Sequence, residues 1–391
     1  MRGSVKRQSK DSWRITVSLG RNPKTGRYEK YQETIRGKKA DADRRLAELI
    51  AQLEKGYTIN PEKMTFGEFL EKWLSDYARN RAHSTYYGYA NIINLHVKPA
   101  LGDIPLNRLH PSHLRDFYNR QLRDGRRDNK KSTGKALSTT YVLTMHRVIH
   151  RALECAVRWE LVGRNAADAV DPPRKRRKET VVLSREDIQA LLDALKGNYL
   201  YMPALIAVTT GLRMSEVLGL LWDNIDYEAR IIRVTQVQKY RKGIDGEPAG
   251  LETGEPKTGK SRRAVAMPEI LVEELKRHRL EQKKNRLSLG GAYQDTGLVC
   301  CLEDGRPVNN STLGSAFRNI AHKMGYPISF HDLRHLHATW LVAGGVPLKV
   351  VSERLGHTQI SITADLYSHV SAEMQKEAAR KIDELLAKNP T

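Results

Sequence analysis

Phe330-His331-Asp332-Leu333-Arg334-His335-Leu336-His337-Ala338-Thr339-Trp340-Leu341 predicts one amphipathic helix. Leu333, Leu336, Trp340 and Leu341 recur at helical spacing and form a face for a core. His331, Arg334, His335 and Ala338 line the opposite stripe. His331 and His335 imitate a His-x-x-x-His zinc helix. Arg334 on the same stripe argues against a metal, because a permanent cation disfavours a bound divalent ion. A stripe of this composition suits a phosphate, so the sequence predicts no metal site.

Upstream, Ala204 to Gly211 is apolar and helical, and runs into Leu212-Arg213-Met214-Ser215-Glu216. Arg213 and Glu216 stand at i, i+3 and share a helix face. Alone, that spacing predicts a surface ion pair; the alternative is that Glu216 orients a guanidinium toward an anion. Ile231-Ile232-Arg233-Val234 and Ala264-Val265-Ala266-Met267 read as strands. The polar insert between them ends Gly254-Glu255-Pro256-Lys257-Thr258-Gly259-Lys260-Ser261 and matches G-x-x-x-x-G-K-[ST]. A P-loop must follow a buried strand and open a helix. Here a strand follows, so the better reading is a β-turn from which Lys257 protrudes. Downstream, Leu355-Gly356-His357 precedes Leu366-Tyr367-Ser368-His369.

Arg213, Lys257, His331, Arg334, His357 and Tyr367 together suit metal-free phosphoryl transfer. Two guanidiniums can grip the non-bridging oxygens and stabilise the charge of a five-coordinate transition state. Lys and His can move protons. A phenol, with an ordinary pKa of about 10, ionises more readily beside such cations and can attack phosphorus.

The remaining chain is organised for a polyanion. It has 391 residues with 66 Lys and Arg against 45 Asp and Glu, a net charge of +21, which points to nucleic acid before an anionic membrane surface. Residues 1–60 carry 15 Lys and Arg against 7 Asp and Glu. Trp13, Ile15, Val17 and Leu19 alternate as a strand, Asn22 to Gly26 turns, Tyr28 to Ile35 returns, and Lys38 to Glu54 is helical. This predicts a small ββ(β)α domain whose sheet reads DNA, with Arg14, Arg21, Lys24 and Arg27 as contacts; an ordinary solvated mini-domain is the alternative. Residues 61–170 predict an all-helical domain, its first helix opened by the capping box Thr65-x-x-Glu68. Asp171-Pro172-Pro173-Arg174-Lys175-Arg176-Arg177-Lys178 starts a linker over 171–183, held extended by its prolines and repelling cations and able to lie along phosphates. Ser184-x-x-Asp187 caps the first helix of the last domain, 184–391. Cys155, Cys300 and Cys301 cannot make a disulfide framework and fit a reducing cytosol. With neither a secretory signal nor an apolar stretch long enough for a bilayer, a secreted or membrane-spanning protein is not expected.

These motifs resemble those of the tyrosine recombinase (phage integrase) family. Gly211 to Glu216 is similar to its first-arginine motif, Lys257 to its hairpin lysine, His331-Asp332-Leu333-Arg334-His335 to its H-x-x-R box, and Leu355-Gly356-His357 through Tyr367-Ser368-His369 to its nucleophile stretch. The likeness covers 184–391. The helical domain resembles the family's core-site-binding domain, and residues 1–60 the arm-site-binding domain of phage and conjugative-transposon integrases. The resemblance implies a multidomain, mainly α fold with β, ending in a mixed α+β catalytic domain. It implies that Tyr367 attacks the scissile phosphate to give a 3′-phosphotyrosyl bond, with Arg213, Arg334 and His357 on the phosphate. Lys257 would protonate the leaving 5′-oxygen, His331 would shuttle the Tyr367 proton, and Glu216 and Asp332 would orient the others. It implies no cofactor, neither metal nor ATP. The implied partners are double-stranded DNA at core and arm sites, a homotetramer on that DNA, excisionase and host DNA-bending proteins, with no membrane. The implied place is the cytoplasm of a bacterial host, on the nucleoid. The helix predicted over Ala372 to Leu386 would pack on its own domain or on a neighbour. The competing reading is a catalytically silent DNA-binding regulator on the same fold.

Overall fold

The computed structural model describes residues 3–21, 28–54, 64–126, 135–174, 183–241, 243, 249–255, 262–357 and 380. The chain divides into two compact units, Met1–Lys178 and Glu179–Thr391, and the break falls inside the basic stretch 171–183.

The first unit begins with three antiparallel strands in the order β1 (Gly3–Ser9), β2 (Ser12–Arg21) and β3 (Tyr28–Arg36), followed by α1 (Lys39–Glu54). β1 is the bracketed third strand of the expected ββ(β)α unit. The period of two sends Ile15, Val17 and Tyr31 to one face, where they bury with Ala42 and Leu49 of α1. The other face carries Lys6 and Thr34 on either side of Arg14, and Ser4 and Gln32 on either side of Thr16. The helices that follow are α2 (Phe66–Trp73), α3 (His83–Ile92), α4 (Lys98–Leu101), α5 (Pro111–Asp124) and α6 (Thr139–Arg158). Thr65 and Glu68 close the predicted capping box, Glu68 N donating to Thr65 Oγ1 at 3.2 Å and Thr65 N to Glu68 Oε2 at 2.8 Å. Phe66, Phe69, Trp73, Phe117, Met145 and Ile149 are fully buried. From α3 the chain stays helical to Leu101 through a π turn at Ile93–Val97.

The second unit opens with α7 (Arg185–Leu195), capped by Ser184 as its spacing to Asp187 requires, then α8 (Tyr201–Thr210) and α9 (Met214–Leu218). Strands β4 (Ile225–Asp226), β5 (Ile231–Val234) and β8 (Arg263–Ala266) form an antiparallel sheet in that order, with Ile232 facing Val265. Between β5 and β8, β6 (Val237–Arg241) and β7 (Gly250–Gly254) pair as a separate ladder. The segment matching the P-loop expression thus starts at the end of β7 and leads into a strand. The remaining helices are α10 (Glu269–Leu289), α11 (Asn310–Lys323), α12 (Asp332–Ala343) and α13 (Leu348–Leu355). α8 is apolar around its whole circumference, so it lies in the core, packed with Val217, Leu271, Phe317, Phe330, Leu333 and Leu336. Ala338 and Val342 of α12 bury against Val351 and Leu355 of α13. Among the described residues no helix is long and apolar enough to cross a membrane.

Candidate active site

A helix buried as deeply as α8 ends with carbonyls that need partners. Gly211 ends it in the left-handed region, φ 71°. A Cβ there would lie 2.7 Å from both His337 Cδ2 and Leu355 Cδ2, so glycine alone lets α12 and α13 close over the helix end. The carbonyls are taken by cationic and polar side chains. Val208 O accepts from His337 Nδ1 at 2.9 Å, Thr209 O from Arg354 Nη2 at 3.2 Å, and Gly211 O from Arg334 Nη1 at 2.6 Å. Cations suit the negative end of the helix dipole.

Arg334 spends its other arm on Leu355 O at 2.7 Å. It is 3% exposed, and two carbonyls replace the water it has lost. Burial, then the nearby charge of Arg213, pushes its pKa down to about 9. The group stays charged at neutral pH, yet its surroundings favour an added anion.

Arg213 and Glu216 depart from the expected surface pair. Arg213 is not on the helix face: it is the residue before α9, with extended backbone. Glu216 is 3% exposed, because α9 turns it into the core beside Val217. Its carboxylate takes Arg213 N at 2.9 Å and Arg213 Nη1 at 2.8 Å. Arg213 also donates through Nη2 to Gly356 O at 3.2 Å. A third arginine, missed in the sequence, shares the same carboxylate: Arg263 of β8 donates to Glu216 Oε1 at 3.2 Å and Oε2 at 2.9 Å. Burial would raise the Glu216 pKa, but bonds and charge from Arg263, then Arg213, hold it below the ordinary carboxylate range.

The histidines border these cations. His331 precedes α12 and its ring meets His335 edge to face, centroids 4.8 Å apart. Asp332 accepts Ser329 N at 2.7 Å and Ser329 Oγ at 2.8 Å, which fixes the turn carrying His331. His357 follows the left-handed Gly356, φ 66°, and its N–H donates to Ser352 O at 3.0 Å. Burial, then Arg334 and Arg213, pushes the His357 imidazole down to about 4. It is therefore neutral near pH 7, with one nitrogen able to donate. His331 and His335 are also lowered, chiefly by burial, with Arg334 adding in both.

The structure thus gathers Arg213, Glu216, His331, Arg334 and His357 around Gly211 and Gly356, and adds Arg263 and His335. Lys257 and Tyr367 lie outside the described residues, as does the predicted helix 372–386 apart from Arg380. Among the expected DNA contacts, Arg14 is exposed on the open face of the sheet and Arg174 is exposed. Arg21 pairs with Tyr28 at the end of β2. Lys24, Arg27, Lys175, Arg176, Arg177 and Lys178 lie outside the described residues. Among the described residues no three His, Cys, Asp or Glu side chains gather as a metal ion would need. Three guanidiniums against one carboxylate leave an excess of positive charge at a partly open arginine, 34% exposed at its side chain. That arrangement can take up and polarise a phosphodiester.

Comparison with known proteins agrees with this chemistry. Residues 181–374 match the phage integrase family, and residues 65–122 match the phage integrase N-terminal SAM-like domain. A tyrosine recombinase XerC-like protein of Caldanaerobacter subterraneus subsp. tengcongensis is 30% identical over 390 residues, covering 97% of each chain. The ICEBs1 integrase of Bacillus subtilis is 25% identical over 391 residues, covering 98% of this chain and 100% of its own. Among solved structures, the Tn1549 transposon integrase bound to transposon right end DNA superposes with a TM-score of 0.67 at 21% identity, over 83% of this chain and 100% of that one. A lambda integrase tetramer bound to a Holliday junction gives a TM-score of 0.56 at 15% identity, over 93% and 94%. The chain belongs to the phage integrase family of tyrosine recombinases, enzymes that cleave and rejoin DNA in site-specific recombination.

Proposed function

We propose that Tyr367 attacks a scissile phosphate held by Arg213, Arg334 and His357. The phenol oxygen bonds to phosphorus, the 5′-oxygen leaves with a proton from Lys257, and His331 accepts the Tyr367 proton. The 3′-phosphotyrosyl bond conserves the energy of the phosphodiester, and a 5′-hydroxyl of the partner strand reverses the step. Glu216 aims Arg213, and Asp332 holds the turn that presents His331. The observation that supports this reading is the convergence of Arg213, Arg334 and His357 on Gly211 and Gly356. The charge of Arg213 and Arg334 does the work a metal would do, so cleavage proceeds in excess EDTA and without ATP.

The proposal extends to the whole chain. The helical domain, 61–170, and the catalytic domain, 184–391, each bind core-site DNA, with the basic strap 171–183 along the phosphates. The open face of the N-terminal sheet reads a second class of sites through Arg14, with Lys6 and Lys30 on the same face. A sheet of this width enters the major groove. Four copies act on paired sites in the bacterial cytoplasm, at the nucleoid, with excisionase and DNA-bending proteins setting direction. The lambda integrase tetramer on a Holliday junction supports the assembly.

The test is a suicide duplex that traps covalent protein. Tyr367→Phe is expected to bind core-site DNA as wild type does and to form no adduct. An adduct with this variant contradicts the nucleophile assignment, and an adduct absent from wild type favours the silent regulator.

A further inference from the structure

We propose that Arg263 is a positioning residue for strand cleavage: it neutralises Glu216, so that the charge of Arg213 stays available to the scissile phosphate. The proposal rests on the reading of Arg213 as a phosphate ligand.

Glu216 is one carboxylate between two guanidiniums, and the two differ in burial. The Arg263 side chain is 8% exposed and that of Arg213 34%. Arg263 meets both carboxylate oxygens, at 3.2 and 2.9 Å, as a fork on a fork. Arg213 gives its side chain to one oxygen only. The enclosed arginine is thus the counter-charge, and the open one has capacity left for a ligand. Without Arg263, Glu216 and Arg213 would form a neutral pair, and the phosphate would face one cation fewer.

Arg263 also fixes backbone. Its Nε donates to Arg354 O at 2.7 Å, and Arg354 Nη2 donates back to Ala266 O at 2.9 Å. Each end of β8 is therefore tied to the C-terminal end of α13. Gly356 follows at once, and a Cβ on it would lie 3.0 Å from Arg263 Nη1. Gly356 O holds Arg213, and the next residue is His357. One side chain therefore sets the carboxylate that aims Arg213 and the backbone that presents His357. Lysine could restore the charge but not the fork.

The experiment is single-turnover cleavage of a core-site suicide duplex by full-length protein, with DNA affinity and thermal unfolding measured in parallel. Arg263→Gln is expected to slow cleavage about 100-fold while DNA affinity stays within about threefold. Arg263→Lys is expected to slow it about 10-fold. The double variant Glu216→Gln/Arg263→Gln is expected to cleave about 10-fold faster than Arg263→Gln, because no buried carboxylate then draws on Arg213. A merely structural arginine predicts no such recovery. Cleavage by Arg263→Gln within about threefold of wild type, or a double variant no faster than Arg263→Gln, overturns the proposal. If Arg263→Gln does not fold, wild-type cleavage by Arg263→Lys overturns it. Cleavage by Tyr367→Phe would instead remove the reading beneath it.

Discussion

Arg151 of α6 and Arg334 of α12 are both arginines in clusters of cations, and their surroundings act on them in opposite directions. Arg151 donates to Glu154 Oε2 at 2.8 Å and to the Tyr77 hydroxyl at 3.0 and 2.8 Å. The bond to Glu154, then that to Tyr77, raises its pKa. Arg81 covers the same ring with its guanidinium carbon 4.7 Å from the centroid. Arg334 has two carbonyls for partners, is buried, and lies near Arg213. A cation pushed up has already found its anion. A cation pushed down has lost water without full compensation, and a phosphate would relieve it. Arginines gather in both places; burial and counter-charge decide which of them can serve chemistry.

The largest break in this comparison is expected from Arg334→Ala. Losing a preorganised donor at the phosphate should slow single-turnover cleavage by about 10³-fold, while core-site affinity changes far less. Gly211→Ala attacks the scaffold: a left-handed φ and a Cβ contact of 2.7 Å should together cost about 4 kcal/mol of stability, read as a lower unfolding midpoint in denaturant. Acid comes next. Nδ1 of His337 donates to Val208 O, so Nε2, 3.0 Å from Arg354 Nε, must accept. Burial, then Arg354, pushes its pKa down to about 4. The unfolded chain therefore takes up the proton first as pH falls. Stability is intact above the ordinary histidine value near 6.5 and is lost toward pH 4, by roughly 3 kcal/mol. His337→Gln should flatten that slope in a thermal-unfolding series. Arg151→Ala sits at the other end: its exposed pair with Glu154 should be worth less than about 1 kcal/mol, and cleavage at saturating protein should stay within about threefold of wild type.

The site was legible where chemistry follows local spacing. Arg334 and His331 share a helix stripe, and Arg213 and Glu216 follow directly on the apolar run Ala204 to Gly211. Arg263 was hidden because its partner lies 47 residues away across the β6–β7 ladder, and an Arg opening a short strand reads as solvent-facing. Glu216 was misplaced for a related reason. Its i, i+3 spacing to Arg213 implies a shared helix face, but helical backbone begins only at Met214, and the core that buries Glu216 comes from distant segments. β1 is nearly all polar and exposed, so no alternation announces it. The π turn at Ile93–Val97 adds a residue to a helical turn without changing its composition, and leaves no mark in the pattern.

The desolvated cations around Gly211 and Gly356 are expected to receive a phosphate. His357 reports on that, since burial and then Arg334 and Arg213 depress its pKa and an anion between the two arginines would raise it. The measurement is a histidine NMR titration of Tyr367→Phe protein, free and bound to an uncleaved core-site duplex. His357 is expected to titrate near pH 4 in the free protein and at least about one unit higher on DNA. An unchanged His357 titration in the bound state would contradict it.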